Sequence, residues 1–469
     1  MSTDSKNADY IDEAVIAETL RKNRAHDAAR IREILTKARE LKGLDMDEMA
    51  ALTTISDPEL ISELFEAARY AKDEIYGNRL VVFAPMYVSN LCANECLYCA
   101  FRARNKEIKR RALSQAEIAD EAKALIESGH KRILLVAGES YPKEGFDYVL
   151  ESIKTIYATK AGNGEIRRIN VNVAPLESEQ FVQLKEAGIG TYQLFQETYH
   201  RETYSKMHVS GKKSDYDYRI LATDRAMEAG IDDIGIGVLF GLYDWRFELC
   251  ALLQHIRHLE GKYGVGPHTL SVPRLEPATG SGVAAQPPNP VSDFDFRKIV
   301  AILRLTVPYT GIIMSTRETA NIRRETFALG VSQISAGSRT NPGGYGDEGE
   351  DKEQKFSQFS LGDHRSLDEV IKDVASLGYV PSFCTGCYRL GRTGQDFMDL
   401  AQPGLIKHYC QPNAISTFKE YLMDYGSEET IEVGNALIKE MVAKMPEKLK
   451  KRTAELLKKV GDGNHDVYV

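Results

Sequence analysis

The sequence predicts an α/β protein built on a closed (β/α)8 TIM-type barrel, with a helical N-terminal extension and a mainly helical C-terminal domain. Helical spacing of apolar residues runs through 11–76, strand and helix patterns alternate from 80 onward, and helical patterns return over roughly 412–460. Repeated βα units of about 30 residues indicate a parallel sheet, and eight units are enough to close a barrel. The alternative is an open sheet of six units.

The predicted domains are 1–79, 80–378 and 379–469. In the first, Asp57 and Pro58 mark a helix start, because aspartate caps a helix and proline is tolerated in its first turn. Eight apolar runs give the predicted strands: 80–88, 132–137, 168–173, 191–195, 233–239, 268–274, 311–316 and 331–335. Predicted helices follow them near 114–129, 145–158, 177–188, 215–229, 245–261, 292–307, 319–328 and 366–377.

The composition is that of an ordinary globular protein, with 469 residues, 43% hydrophobic and 27% charged. The net charge of −8 argues against a nucleic-acid surface. The sequence contains no run of about 18 apolar residues and no apolar signal-peptide core at its start. We therefore expect a cytoplasmic protein with no nucleic-acid partner and no membrane association.

Six of the seven cysteines fall into two groups, Cys92, Cys96 and Cys99, and Cys384, Cys387 and Cys410. Clustered cysteines in a cytosolic chain indicate metal binding, since disulfides are rare there. The remaining one, Cys250, lies in an apolar run and is interpreted as a core residue.

The first group has the spacing C-x3-C-x2-C and directly follows the first predicted strand. Three thiolates on one loop can hold three irons of a cubane iron–sulfur cluster and leave the fourth iron open for a ligand. A zinc site is the alternative, but structural zinc normally closes with a fourth Cys or His, and the next histidine is the distant His130. Active-site loops of barrels follow the carboxyl ends of strands, so this loop marks the top.

The predicted strands carry polar residues that the two-residue strand period places on shared faces. These are Asn170 and Asn172; His268, Arg274 and Glu276; and Ser315 and Arg317. Dry burial of so many polar groups would be costly, so we expect a solvated lumen that holds a polar substrate. The alternative is a set of satisfied core polar groups near strand ends. His268 begins its strand and should lie at the bottom.

The first cysteine group resembles that of the radical S-adenosylmethionine (radical SAM) enzymes, in which an aromatic residue such as Tyr98 commonly precedes the last cysteine. The resemblance implies a [4Fe-4S] cluster on Cys92, Cys96 and Cys99 whose open iron binds SAM. It also implies that Gly138 and Glu139 bind the SAM amino group, and Asn172 is a further candidate for SAM binding.

The second group has the spacing C-x2-C-x22-C. A zinc site completed by His408 is one interpretation, and an auxiliary iron–sulfur cluster with another open iron is the one we favour. With the radical SAM motif, the pattern resembles the HydG family, the tyrosine lyases of [FeFe]-hydrogenase maturation. The segments 192–200 and 315–318 are also similar to the thiazole-synthesis tyrosine lyases, ThiH, which lack the C-terminal cluster domain.

This resemblance implies a radical SAM carbon–carbon lyase that cleaves L-tyrosine to p-cresol and dehydroglycine, and then yields CO and cyanide. It implies capture of these products as an Fe(CO)2(CN) unit at the auxiliary cluster, on an additional labile iron for which His268 is the candidate ligand. Candidates for the tyrosine carboxylate are Arg317 and Arg323, with Ser315 and Ser338. Expected partners are a low-potential electron donor and other hydrogenase maturases that accept the iron unit.

Three other functions stay open from the sequence. One is a radical SAM lyase acting on another aromatic amino acid, with the second cluster in electron transfer. Another is a non-catalytic carrier of preassembled iron–sulfur units, and the third is a zinc-binding regulator.

Overall fold

The computed structural model describes residues 8–25, 27–346 and 357–469. Eight parallel strands form its centre: β1 Arg79–Ser89, β2 Arg132–Ala137, β3 Arg168–Asn172, β4 Tyr192–Gln193, β5 Ile234–Gly237, β6 Thr269–Ser271, β7 Gly311–Met314 and β8 Val331–Ser335. β8 pairs in parallel with β1, with Val82 opposite Ile334. The sheet is therefore a closed barrel, as predicted, and the open six-unit alternative is wrong.

Helices surround the barrel on the outside. They are Gln115–Glu127, Asp147–Ala158, Ser178–Glu186, Arg201–Met207, Tyr216–Ile220, Ala222–Glu228, Trp245–Tyr263, Gly282–Ala285, Asp293–Thr306, Ala320–Phe327 and Leu367–Ser376, with a 3-10 turn at Lys212–Ser214 and a small hairpin of Lys160–Ala161 with Gly164–Glu165. The predicted helix at 215–229 is two short helices that meet at Leu221. The helices at 201–207 and 282–285 were not predicted, because helices of seven and four residues are too short to show a period.

Four helices form the N-terminal extension: Glu13–Lys22, Ala28–Ala38, Met46–Thr53 and Pro58–Tyr76. Asp57 caps the last of them, since its carboxylate accepts hydrogen bonds from the amides of Glu59 and Leu60 at 2.9 and 3.1 Å. The extension is tied to the barrel's outer helices: Lys298 donates to the carbonyls of Thr53 and Ile55 at 2.9 and 2.7 Å.

The chain returns to the bottom of the barrel after its last outer helix. A short strand, β9 Val380–Ser382, pairs in parallel with the amino end of β1, with Arg79 opposite Val380. The helices Gly386–Arg389, Gly394–Ala401, Lys407–Asp424, Glu428–Lys444 and Glu447–Gly461 follow. β9 was not predicted, and it places Cys384 and Cys387 directly beneath the lumen. The division of the chain into three domains stays a prediction.

Two cavities lie along the lumen, an upper one of about 190 Å³ and a lower one of about 60 Å³. Alternate side chains of β1 line both: Arg79 and Val81 face the lower cavity, and Phe83, Pro85 and Tyr87 face the upper one. This alternation is the two-residue period of a strand whose one face points inward. The two cavities are therefore consecutive parts of one lumen.

Within the described residues, no helix is both long enough and apolar enough to cross a membrane.

Candidate active site and second cysteine centre

The first cysteine loop is held in place by backbone pairing with 207–210. The Glu95 amide donates to the carbonyl of Ser210 at 2.9 Å, and Cys96 forms an antiparallel bridge with His208. Because the loop is tied on both sides of Cys96, its cysteines are positioned by the main chain.

The aromatic residue before the last cysteine has a defined partner. The Tyr98 hydroxyl lies 2.8 Å from Nε2 of His208, and Nδ1 of His208 lies 2.8 Å from the carbonyl of Tyr204. A carbonyl accepts only, so Nδ1 carries the proton and Tyr98 donates to Nε2. Burial holds the pKa of His208 well below its usual value, which keeps this imidazole neutral.

Cys92, Cys96 and Cys99 all line the upper cavity. Burial raises the pKa of all three thiols, that of Cys99 to about 11, so a cation is needed to hold them as thiolates. Cys99 Sγ accepts hydrogen bonds from the amides of Phe101 and of the Gln358 side chain at 3.4 and 3.7 Å. The described lining contains no histidine and no fourth cysteine, so the closed ligand set of structural zinc is missing and the three-thiolate set fits a cluster.

Gly138 follows β2 and touches the cysteine loop. Its amide donates to the carbonyl of Ser89 at 2.8 Å. A Cβ at this position would lie 2.2 Å from the carbonyl oxygen of Leu91, so a glycine is required for the two loops to meet.

Glu139, predicted to contact SAM, lies in a buried network of charges in the upper cavity. Its carboxylate accepts from Arg219 at 2.9 Å and from Asn94 at 2.7 Å, and Lys213 joins Glu197 at 2.7 Å. Burial raises the pKa of Glu139, but Arg219 and Lys213 outweigh burial and hold that pKa below its usual value. Glu197 adopts φ +73°, a left-handed conformation that is rare outside glycine and is often found at functional sites. The network can hold both the ammonium and the carboxylate of an amino acid.

Three further predicted residues, Asn172, Ser315 and Arg317, line the same cavity. Asn172 Nδ2 donates to the carbonyl of Gln193 at 3.0 Å. The Arg317 guanidinium carbon lies 3.2 Å from the centre of the Phe359 ring, and no described carboxylate forms an ion pair with it. Burial lowers the pKa of Arg317. Glu197 and Glu276 attract this half-buried guanidinium without forming an ion pair with it, so its fork can bind a carboxylate.

Two predicted substrate residues lie elsewhere. Arg323 is fully buried on an outer helix, where its guanidinium pairs with Asp363 and donates to the carbonyl of Ser335 at 2.5 Å. Ser338 is buried in the loop after β8 and is not among the described residues that line the upper cavity. Neither is among the described residues that line the upper cavity, so the expectation that they bind tyrosine stays a prediction that their positions do not support.

The predicted inward face of β6 also needs correction. Ser271, Pro273 and Leu275 line the upper cavity, so Arg274 points outward and pairs with Glu318 and Asp293. β6 has only three paired residues, so the alternation of inward and outward side chains that begins at His268 does not continue as far as Arg274. His268 itself lies at the bottom of the barrel, as expected.

The lower cavity collects Cys384, Cys387, Cys410 and His268. Nδ1 of His268 is buried, lies 3.5 Å from the Asp233 carboxylate and makes no hydrogen bond in the described structure. Burial lowers the pKa of His268, which favours the neutral imidazole that ligates metals. His408, the alternative zinc ligand, is exposed and is not among the described lining residues. The donor set fits a second soft-metal centre with one imidazole beside it.

Arginines surround these thiols. Arg79, Arg132 and Arg392 line the lower cavity, and Arg132 donates to the carbonyl of Cys384 at 3.1 Å. The Cys387 thiol donates a hydrogen bond to Cys410, and this bond lowers the pKa of Cys410. Burial raises that pKa, and the positive charges of the three arginines lower it. This environment favours a thiolate at Cys410.

Sequence reasoning missed several of these residues. Lys213 and Arg219 lie in an ordinary amphipathic stretch with no signal of their own. Arg79 could have been found by extending the inward alternation of β1 back by one step from Val81. Arg392 gave no local signal.

Comparison with known proteins gives two family models that match parts of the chain. The Radical SAM superfamily model matches 86–252, and the Biotin and Thiamin Synthesis associated domain matches 271–380.

Similar proteins and solved structures cover more of the chain than these two family models do. The chain is 34% identical to 2-iminoacetate synthase of Escherichia coli (strain K12) over 356 residues, 75% of this chain and 90% of that protein. It is 49% identical to the crystal structure of HydG, a maturase of the [FeFe]-hydrogenase, with a TM-score of 0.94 over 98% of this chain and all of the other. HydG from Carboxydothermus hydrogenoformans is 43% identical, with a TM-score of 0.82 over 95% and 98% of the two chains. The chain therefore belongs to the radical SAM superfamily and, within it, to the HydG family, which is related to the 2-iminoacetate synthases.

Proposed function

We propose that the chain is a hydrogenase maturase: a radical SAM lyase that cleaves the Cα–Cβ bond of L-tyrosine to p-cresol and dehydroglycine, then to CO and cyanide. The products leave as an Fe(CO)2(CN) unit for the active-site cluster of an [FeFe]-hydrogenase. The observation that carries this proposal is the presence of two cysteine triads facing the two cavities of one lumen. A lyase with one centre would not need the second.

The upper cavity is the proposed site of tyrosine cleavage. When bound to Cys92, Cys96 and Cys99, a [4Fe-4S] cluster with SAM supplies a 5′-deoxyadenosyl radical. Glu139 and its charged neighbours receive the amino-acid end of SAM. Arg317 binds the tyrosine carboxylate with its guanidinium fork, and Ser315 adds a hydroxyl beside it.

The lumen protects the chemistry. The closed barrel wall surrounds the upper cavity on its sides, and restricted access of bulk water favours a reactive intermediate over quenching. Val81 lines the lower cavity and Phe83 lines the upper one. The two residues are two positions apart on β1, which is about 7 Å along the strand. The two centres therefore lie at neighbouring levels of one barrel, which suits the passage of small products between them.

The lower cavity is the proposed place of capture. Cys384, Cys387 and Cys410 would hold an auxiliary iron–sulfur cluster, and the unpaired imidazole of His268 would ligate the additional labile iron. The finished unit is then accepted by other maturases.

The test is anaerobic turnover of the reconstituted protein with SAM, dithionite and L-tyrosine, following p-cresol, CO and cyanide. The variant Cys384→Ala/Cys387→Ala removes two of the three proposed cluster ligands in the lower cavity. The matched control is Cys250→Ala, since Cys250 is buried among apolar residues outside both cavities. Wild type and control should form all three products. The double variant should still form p-cresol but lose CO.

Two results would contradict the proposal. SAM cleavage without p-cresol would refute tyrosine as substrate, and products from tryptophan would then favour another aromatic amino acid. Undiminished CO in the double variant would show that the lower centre takes no part.

A further inference from the structure

The loop that follows the first cysteine triad is strongly basic. Between positions 102 and 111 the chain has six arginines and lysines and a single glutamate, in a protein whose net charge is −8. Such a local excess of one sign creates a potential that steers oppositely charged partners.

The basic loop forms an outer wall of the upper site. The Arg102 amide donates to the carbonyl of Cys99 at 3.3 Å, and the Ala103 amide donates to the carbonyl of Asn94 at 2.8 Å. The Arg104 amide donates to the Glu95 carboxylate at 2.8 Å. A protein that touches this loop therefore lies against the shell of the cysteine centre.

Half of the basic residues build the loop. Arg102 pairs with Glu95 at 3.0 Å, and Arg111 pairs with Glu117 at 2.7 Å. Arg110 donates to four backbone carbonyls at 2.5 to 3.3 Å.

The others face solvent. Arg104, Lys106 and Lys109 are exposed, and the described structure gives Arg104 and Lys106 no ion pair. Neither of these two charges helps to hold the loop in the described structure.

The segment 209–212 meets the basic loop at Glu95, which accepts hydrogen bonds from the amides of both Arg104 and Val209. Val209 is 50% exposed, and its amide donates to the carbonyl of Glu95 at 2.9 Å. Lys212, nearby in the chain, is exposed as well. The surface thus has an apolar residue close to the cysteine loop and cations around it, which suits a small transient interface.

We propose that this surface, formed by Arg104, Lys106, Lys109, Val209 and Lys212, docks an acidic protein that carries single electrons at low potential. The inference deepens the proposed function, since radical generation at the upper cavity consumes one electron. That electron would leave the reduced carrier and reduce the cluster that Cys92, Cys96 and Cys99 would hold, without bond formation or proton transfer.

The test uses the holoenzyme and the double charge reversal Arg104→Glu/Lys106→Glu. Lys448→Glu/Lys451→Glu is the matched control, with the same charge change on the exposed face of the last helix. SAM cleavage is measured with an acidic ferredoxin, reduced and freed of excess reductant, and separately with dithionite. The Kd of the oxidised ferredoxin is measured in parallel.

With ferredoxin at low salt, the first variant should cleave SAM about tenfold more slowly and bind the carrier correspondingly more weakly, while the control stays near wild type. The difference should fade near 1 M salt, where the Debye length is about 3 Å. Dithionite should drive all three proteins equally. An equal loss in both variants, or none in either, would overturn the docking proposal. Failure of wild type with both reductants would instead overturn the proposed function.

Discussion

Gly138→Ala tests whether the close contact between two loops positions the first cysteine triad. The added Cβ would lie 2.2 Å from the carbonyl oxygen of Leu91, whereas ordinary contact begins near 3.4 Å. The loops must therefore separate by roughly 1 Å, and overpacking of this kind costs about 1–3 kcal/mol. The three nearest atoms, in Leu91 and Asn90, all belong to the backbone, so no side-chain rotation relieves the clash.

The displaced loop carries Cys92, the residue after Leu91. A misplacement of about 1 Å near a reacting centre can lower a rate by about 10²-fold, and we expect SAM cleavage to fall by that factor. Thermal unfolding should also begin at a lower temperature. The control is Gly261→Ala, in the helix Trp245–Tyr263, where an added Cβ meets nothing within 4 Å. That change should raise stability by up to about 1 kcal/mol.

The measurements are iron and sulfide per chain, the dissociation constant for SAM, the initial rate of SAM cleavage with dithionite, and the unfolding temperature. If Gly138→Ala keeps wild-type values in all four, the contact does not position the loop and the reasoning fails.

Three other changes test separate parts of the structure. Arg317→Lys keeps the charge but loses the fork, so the KM for tyrosine should rise about tenfold while SAM still binds, and an unchanged KM would remove Arg317 from the site. Arg323→Ala removes one of the two arginines on the buried Asp363 carboxylate, which keeps Arg365 at 2.8 Å, and should lower the free energy of unfolding by about 1–3 kcal/mol in urea titrations; a loss of tyrosine affinity at unchanged stability would speak against a structural role. Burial raises the pKa of Glu248 to about 8, so the folded state holds a proton that the unfolded state releases, and stability should fall as pH rises from about 4.5 to 8. Glu248→Gln should flatten that fall, and an unchanged slope would show that Glu248 is not the titrating group.

Much of the fold could be predicted because its signals are local. Apolar runs separated by helical patterns identify eight βα units, and Asp57 with Pro58 marks a helix start by chemistry within one turn. β9 could not be found this way, since its three residues carry no period and are a strand only because they pair with the distant Arg79 end of β1.

The residues of the candidate site likewise divide into those that a local sequence signal identifies and those whose direction depends on distant partners. Each cysteine triad is visible in the sequence because most of its ligands lie within a few residues of each other. Arg274 was placed in the lumen by the strand period, and Arg323 was a candidate for the tyrosine carboxylate as a cation close to Arg317 in the sequence. Their directions are decided by Glu318 and Asp363, carboxylates 44 and 40 residues away in sequence.

The sequence by itself determined the barrel class, the two cysteine triads and the radical SAM superfamily. Only the tertiary structure decided which side chains share a cavity with those ligands. It brought Glu139 against Arg219 and Lys213, left Arg317 without a carboxylate, and gathered three arginines around the second triad. The physical reason is that ligand spacing is set along the chain, whereas the pairing of buried charges depends on which strands and loops close around one lumen.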